Sequence, residues 1–231
     1  MKRDPRFDIL FEPVNIGPVT ARNRFFQVPH CNGMGYVRPK SLAEMRGIKA
    51  EGGWSVVCTE EVWIHHSSEN VPLAEGILWD DGDIPALAKM TEAVHKHGSL
   101  AGIELQHGGY CSTNHYSRIP PIAPSAISVN SYDPVQARAM DKSDIRNFRK
   151  WHRKAALRAK QAGFDIIYVY AAHSGTLLTH FLSRRINKRT DEYGGSLENR
   201  VRLFRELIED TKEAVGERCA VAVRFAVEEF L

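Results

Sequence analysis

The sequence predicts an α/β fold of the TIM (β/α)8-barrel type, present as its first five strands behind an N-terminal hairpin. Two observations carry this. Five short segments rich in β-branched and aromatic residues alternate with longer segments of helical periodicity. The long irregular stretches, about residues 108–141 and 171–195, follow the third and fourth of those segments, where a (β/α) barrel carries its functional loops. An open doubly wound nucleotide fold has less support, because no glycine-rich GxGxxG follows a strand.

Each element has a local reason. Phe11-Glu12-Pro13-Val14-Asn15-Ile16-Gly17-Pro18 reads as a short hairpin. Strands are expected over 24–28, 55–59, 99–105, 165–170 and 219–225, and unbroken apolar runs such as Ile166-Ile167-Tyr168-Val169 suit parallel strands covered on both faces. Ser41-x-x-Glu44 reads as a capping box opening a helix over 42–50, closed by Gly52-Gly53. Asp83 is placed to cap a helix that begins at Ile84-Pro85 and ends before Gly98. Ser143 or Asp144 is expected to cap a long helix in which Ile145, Phe148, Trp151, Ala155 and Ala159 recur at three and four residues, up to Gly163. Ser196 is expected to cap a helix over 197–215, with Leu203, Leu207 and Val215 toward the core and Gly216 at its end. No internal repeat or linker tract divides the chain.

Composition excludes several classes. Among 231 residues, 31 Lys and Arg face 28 Asp and Glu, and this net charge of +3 is scattered; nucleic-acid binding needs a concentrated basic patch. No apolar run approaches the ~20 residues that span a bilayer, and Met1-Lys2-Arg3-Asp4-Pro5 leads into no apolar signal core, so a cytoplasmic protein without a membrane partner is expected. Cys31, Cys58, Cys111 and Cys219 form no CxxC pair, so neither a disulfide scaffold nor a metal site is assigned. His65-His66, His95 and His97 lack partners at ligand spacing and are expected to be solvated.

The polar residues that matter lie at strand C-terminal ends: His30 and Cys31 after the first, Glu60 and Glu61 after the second, Glu104 and His107 at the third, Tyr170 and His173 at the fourth, Arg224 at the fifth. Converging on one mouth, such a set suits a flat heteroaromatic cofactor or a small polar substrate. His107, Trp63 and Tyr110 are candidates for the entrance.

The segment from Gly163-Phe164-Asp165 through Tyr170-Ala171-Ala172-His173, with Phe181-Leu182-Ser183 and residues 187–200 (NKRTDEYGGSLENR), resembles the hallmark of the old yellow enzyme family of FMN-dependent oxidoreductases. Asp8-Ile9-Leu10-Phe11-Glu12-Pro13, Arg22-Asn23-Arg24-Phe25, Gln27-Val28-Pro29-His30-Cys31, Lys49-Ala50-Glu51-Gly52-Gly53-Trp54 and Met140-Asp141-x-Ser143-Asp144-Ile145 resemble the trimethylamine, dimethylamine and histamine dehydrogenase group within it. The resemblance implies FMN binding by Pro29, His30, Cys31, Glu104 and Arg224, with Cys31 joined through sulfur to C6 of the flavin ring and Arg224 beside N1 and O2, where a guanidinium stabilises the reduced form. It implies Tyr170 and His173 as catalytic residues beside an amine, whose protonation they adjust. Glu61 stands where an aromatic wall is found for trimethylamine, so a carboxylate is expected in the substrate site and cation–π attraction is weakened.

Gly175 stands where many ene-reducing relatives carry a proton-donating tyrosine, which favours amine oxidation over a second reading, an NAD(P)H-dependent ene reductase of enals or enones. A third reading is an inactive truncated piece acting at most as an interaction module. The resemblance further implies a small amine substrate, a 4Fe-4S cluster whose cysteines lie beyond residue 231, transfer of electrons to an electron-transferring flavoprotein, and a full-length enzyme free to form a homo-oligomer. At about 46 residues per strand a closed eight-stranded barrel needs about 370. Residues 1–231 are therefore expected to be the N-terminal portion of an FMN-binding barrel, with strands six to eight and any iron–sulfur or dinucleotide-binding domains outside them.

Overall fold

The computed structural model describes residues 4–71, 73–128 and 136–228. A 3-10 turn, Pro5–Phe11, is capped by Asp4, which accepts the Arg6 amide at 3.0 Å. The antiparallel pair β1 (Val14–Ile16) and β2 (Val19–Ala21) follows, turning at Gly17, whose φ of +56° favours glycine. The remaining elements are β3 (Phe26–Gln27), α1 (Pro39–Glu51), β4 (Val56–Trp63), β5 (Gly76–Ile77), α2 (Ile84–His95), β6 (Leu100–Gln106), β7 (Ile122–Ala123), β8 (Ile127–Ser128), β9 (Gln136–Ala139), α3 (Lys142–Gln161), β10 (Ile166–Ala171), α4 (Leu177–Leu182), α5 (Leu197–Val215) and β11 (Ala220–Phe225).

The five expected strands form one parallel sheet in chain order, β3-β4-β6-β10-β11, with β5 taking over the edge of β4 beyond β3. Neighbours in sequence are neighbours in the sheet, as in a (β/α) barrel. The outward face of the sheet packs Val57, Val62, Ala101, Ile103, Leu105, Ile167 and Val169 against the helices, where Leu87, Met90, Phe148, Leu203 and Leu207 are buried. The inward face is narrower. At its foot Val56, Cys58, Ile166, Tyr168 and Ala220 pack with Ala21, Val14, Ile16 and Val19, so the N-terminal hairpin closes the lower end. Polar groups are thereby restricted to the upper end. Within the loop between β6 and α3, β7, β9 and β8 make a small sheet over Tyr110, Ala123, Ala137 and Ile186.

Helix caps depart from expectation in three places. α1 begins at Pro39, whose fixed φ suits a first turn, so Ser41 lies inside the helix and forms no capping box; the cap residue, Arg38, makes no side-chain bond. Asp83 precedes α2, but its carboxylate turns back to the amides of Trp79 (2.7 Å) and Asp80 (3.1 Å), closing a box with Asp80 around a 3-10 turn. α3 is capped two residues before Ser143 and three before Asp144: Asp141 accepts the amides of Ser143 (2.7 Å) and Asp144 (2.8 Å), and Asp144 returns the bond to the Asp141 amide. Ser196 caps α5 as expected, accepting the Asn199 amide at 3.3 Å.

Residues 183–200 form a clasp. Arg189 donates to the carbonyls of Met140 (2.5 Å) and Pro124 (3.1 Å) and pairs with Asp191 at 2.5 Å. Asn187 donates to the carbonyls of Phe181 (2.7 Å) and Tyr193 (2.8 Å), and Arg200 to that of Leu182 (2.8 Å). A Cβ on Gly194 would stand 2.2 Å from the Arg189 carbonyl oxygen, so only glycine fits. The signature segment thus serves backbone carbonyls that irregular structure leaves unpaired. Among the described residues no helix is long and apolar enough to cross a membrane.

Truncating fully buried Leu207 to Ala is expected to cost about 3 kcal/mol, whereas Ser41→Ala, with no cap to lose, costs under about 0.5 kcal/mol. Urea denaturation of both variants checks the pair; a loss of about 1 kcal/mol in Ser41→Ala, the worth of a cap, would contradict the helix start described above.

Candidate active site

A β-bulge in β4 organises the mouth. Cys58 pairs with Gly102 and Glu61 with Glu104, three steps on one strand against two on the other. The extra residue reverses side-chain parity, so Cys58 and Glu61 both belong to the inward face while Val57 and Val62 face the helices. The amide of Glu104, opened by the bulge, donates to the Thr59 hydroxyl at 3.2 Å. Glu60 and Glu61 therefore part company. Glu60 is buried beneath the loop after β3 and accepts the Asn32 amide at 3.1 Å, while Glu61 lies level with Glu104.

At that level the strands deliver one connected polar group. Tyr170 pairs with Arg224 across β10 and β11. Arg224 Nη1 donates to Glu104 (3.1 and 3.3 Å) and to the Pro29 carbonyl (3.3 Å), and its Cζ stands 5.3 Å from the Tyr170 ring centroid. Arg224 Nη2 lies 3.1 Å from His173 Nε2, and His173 Nδ1 meets the Tyr170 hydroxyl, which also bonds Glu61. Proton positions follow from donor chemistry. Guanidinium only donates, so His173 Nε2 accepts; the ring proton sits on Nδ1 and is donated to Tyr170 Oη, and the tyrosine proton goes to Glu61. The chain runs Arg224 to His173 to Tyr170 to Glu61.

Burial pushes Glu104 up to about 7, with Arg224 pulling it back; burial likewise raises Glu61, with Tyr170 and Arg224 opposing. Arg224 keeps its charge: burial opposes it, but Glu104, Tyr170 and Glu61 together more than offset that effect. Tyr170 is raised by burial and by Glu61 and Glu104, so it is held as a neutral donor. His173 is lowered by burial and Arg224, hence neutral. Its φ of +58° lies in the left-handed region, a conformation that turns the ring back over β11 at some cost in strain.

Other expected residues lie elsewhere. The His30 ring turns away from this group toward Gln27 (2.9 Å), Arg46 (3.0 Å) and Lys49 (3.3 Å). Cys31 follows at the surface of the loop, its thiol pushed up to about 12 by burial of the sulfur, with Glu75 and Glu61 adding to the effect. His107, Trp63 and Tyr110 are buried and line no entrance. His107 accepts the Gly109 amide on Nδ1 and contacts Ser67 Oγ at 3.0 Å, and Ser67 in turn contacts His65 at 2.7 Å. His65, expected in solvent, stacks on Trp151 at 3.7 Å, and His95 pairs with Asp165 at 2.7 Å. Sequence reasoning passed over Glu75, Arg46 and Gln106. Arg46 is fully buried in the middle of α1, and Glu75 is a lone acid in a loop; only the tertiary contacts mark them.

The residues present fit a flat cofactor with a urea-like edge. Arg224 and Glu104 offer a donor and an acceptor side by side, and Gln106, two residues on along β6, has its Oε1 buried without a partner. Among the described residues no group of three His, Cys, Asp or Glu could hold a metal ion. A groove of about 910 Å³ lies away from the mouth along α5 and the open edge of β11, lined by Leu197, Phe204, Phe225 and Val227.

Comparison with known proteins agrees with this geometry. Residues 9–231 match the model of the NADH:flavin oxidoreductase / NADH oxidase family, whose cofactor is FMN. The chain belongs to this family. A dimethylamine dehydrogenase of Hyphomicrobium sp. (strain x) is 40% identical over 235 residues, covering 99% of this chain and 32% of the relative. A histamine dehydrogenase from Rhizobium sp. 4-9 is 56% identical with a TM-score of 0.94, over 96% of this chain and 34% of that one. A 6-hydroxypseudooxynicotine amine oxidase from Pseudomonas geniculata N1 is 53% identical with a TM-score of 0.95, over 98% and 34%. The chain thus spans about a third of the length of these relatives, and the half-barrel is the corresponding part of the family's fold.

Stability should peak near neutrality. Burial raises Glu104 and Glu75 to about 7, so the stability their protonation lends is present below their ordinary value of 4.5 and lost as pH rises through 7. Buried His65 and His152, lowered to about 4, and His107 and His180, lowered to about 3, act oppositely. Their contribution is present above 6.5 and lost as pH falls toward those values. The denaturation temperature is expected to be highest between pH 6.5 and 7, with Glu104→Gln flattening the alkaline side; a plateau reaching down to pH 5 would contradict it.

Proposed function

We propose that residues 1–231 are the N-terminal, five-strand portion of the FMN barrel of an amine dehydrogenase or N-demethylase, with strands six to eight and any iron–sulfur or dinucleotide-binding domains outside them. The observation that carries this reading is the Arg224–His173–Tyr170–Glu61 chain. FMN, when bound, accepts a hydride equivalent from the amine α-carbon, and the iminium left behind hydrolyses to an aldehyde and a shorter amine.

The protein's own groups prepare that step. Arg224, which Glu104 keeps aligned, would hold a fixed positive charge at the flavin edge where reduction places negative charge. The amine must present a neutral nitrogen, because a protonated one has no lone pair to support loss of hydride. Neutral His173 and the Tyr170 hydroxyl would be the groups beside the amine nitrogen, and Glu61 draws the tyrosine proton toward itself. Glu61 also supplies a carboxylate that attracts the cationic form of a small amine before it loses its proton. Pro29 contributes its carbonyl to Arg224, and His30 anchors the start of the Cys31 loop by donating its amide to the Thr59 carbonyl (3.2 Å) and accepting from Arg46 (2.8 Å); the Cys31 thiol would be the attachment point for flavin C6. The names of the dimethylamine, histamine and 6-hydroxypseudooxynicotine relatives support an amine substrate. Electrons would leave through a 4Fe-4S cluster outside this chain to an electron-transferring flavoprotein. Four unpaired cysteines suit a cytoplasmic setting.

Gly175 supplies no acid for alkene protonation, which separates this reading from ene reduction. In the holoenzyme carrying this chain, anaerobic dimethylamine or histamine should bleach the flavin absorbance, and NADPH with cyclohexenone should not turn over. His173→Gln and Tyr170→Phe are each expected to lower kcat/KM for the amine about 100-fold and to shift its pH profile. Bleaching by NADPH and not by any amine would overturn the assignment.

A further inference from the structure

We propose that Glu75 is the base that accepts the thiol proton of Cys31 when that sulfur bonds to the flavin. The inference rests on the reading of Cys31 as the attachment point.

The pair is assembled by the β4 bulge. The loop after β3 wraps the buried Glu60 carboxylate, which accepts the Asn32 amide at 3.1 Å and faces those of Met34 and Gly35. A Cβ on Gly35 would stand 1.9 Å from Glu60 Oε1 and 2.4 Å from the Gly76 amide nitrogen. The Cys31 loop is therefore pressed at once against the bulge and against the start of β5, and Glu75, immediately before β5, is brought to Cys31. The thiol donates to the Glu75 carboxylate.

Glu75 is only 7% exposed, and its Oε2 has no hydrogen-bond partner. The ionisable groups facing it are Glu60, Cys31 and Glu61; the nearest buried cation, Arg46, is engaged by Gln27 (3.0 Å) and the His30 carbonyl (2.8 Å). A buried carboxylate without a cation is costly, and here it keeps a free oxygen beside a nucleophile. The neighbouring acids do not serve. Glu60 Oε1 is likewise without a partner, but that carboxylate is turned to the Asn32 amide and is not among the groups that act on the thiol, and Glu61 takes the tyrosine proton and meets the sulfur only through its backbone. Burial and Glu60 lift Glu75 to about 7, within the range where a carboxylate exchanges protons at neutral pH, while the thiol, pushed up to about 12, stays protonated until a reaction draws its proton away.

The chemistry balances. Attachment replaces a C–H bond at ring carbon 6 by a C–S bond. The thiol proton passes to Glu75, the ring proton leaves to solvent, and the two electrons released go to dioxygen, which becomes hydrogen peroxide.

The test uses two readouts with opposite expected signs. FMN is added to purified apoprotein in air, and acid-stable flavin is followed with time in wild type, Glu75→Gln, Glu75→Asp and Cys31→Ala. Alkylation of Cys31 by iodoacetamide is followed in the same apoproteins, and acid-labile flavin content reports folding. In Glu75→Gln attachment should slow about 100-fold, with recovery at higher pH and in Glu75→Asp. Alkylation should quicken roughly tenfold, because loss of the neighbouring negative charge lowers the thiol pKa by about one unit. Loss of packing alone would move both rates together. Unchanged attachment in Glu75→Gln, or both rates moving the same way, overturns the role of Glu75. Absence of acid-stable flavin in wild type overturns the attachment reading itself and this inference with it.

Discussion

One extra residue in β4 determines the geometry of everything above it. Had the ladder run without a bulge, Glu60 would continue the inward series of Val56 and Cys58, and Glu61 would face the helices among Leu87 and Met90. Burying an unpaired carboxylate there would cost several kcal/mol. The bulge sends the first carboxylate under the β3 loop and the second into the barrel mouth. Thr59 makes this tolerable by satisfying the amide that the irregularity opens.

From that point charge decides the arrangement. Glu61, Glu104 and Glu75 all lie within the mouth or at its rim, and the guanidinium of Arg224 reaches the first two but not Glu75. Its two nitrogens divide between a carboxylate and a histidine, which sets the His173 tautomer and, through it, the direction of the Tyr170 hydroxyl. Like-charge repulsion and burial raise the carboxylates, so protons rather than counter-ions settle the remaining balance. A site built this way is sensitive to pH by construction, and its proton affinities lie where acid–base chemistry at neutral pH needs them.

The signature segment shows how a motif can identify a family without touching its chemistry. In residues 187–200, Arg189, Asn187, Asn199 and Arg200 all serve backbone carbonyls, and Gly194 is there because a side chain would collide with one. The loop has few residues of regular structure to pair its own polar groups, so side chains do so, and few substitutions preserve that pattern. The polar residues gathered at the mouth, by contrast, come from the ends of several strands.

The sequence by itself determined the order of strands and helices, the helix over 197–215 with its Ser196 cap, and the inward set Glu61, Glu104, Tyr170 and Arg224, because apolar periodicity and strand-end position are local properties. It misjudged caps at Ser41 and Asp83, where a neighbouring proline or an adjacent tight turn competed for the same groups. It ended the second strand at Thr59, four residues early, since carboxylates on an inner face look like the start of a loop. Only the tertiary structure decided the bulge, the turning of His30 toward Arg46, the burial of His107 and His65 around Trp151, and the meeting of Glu75 with Cys31. Those depend on contacts between segments 16 to more than 40 residues apart, or on a single inserted residue whose effect is felt on the far strand, and neither leaves a periodic trace in the chain.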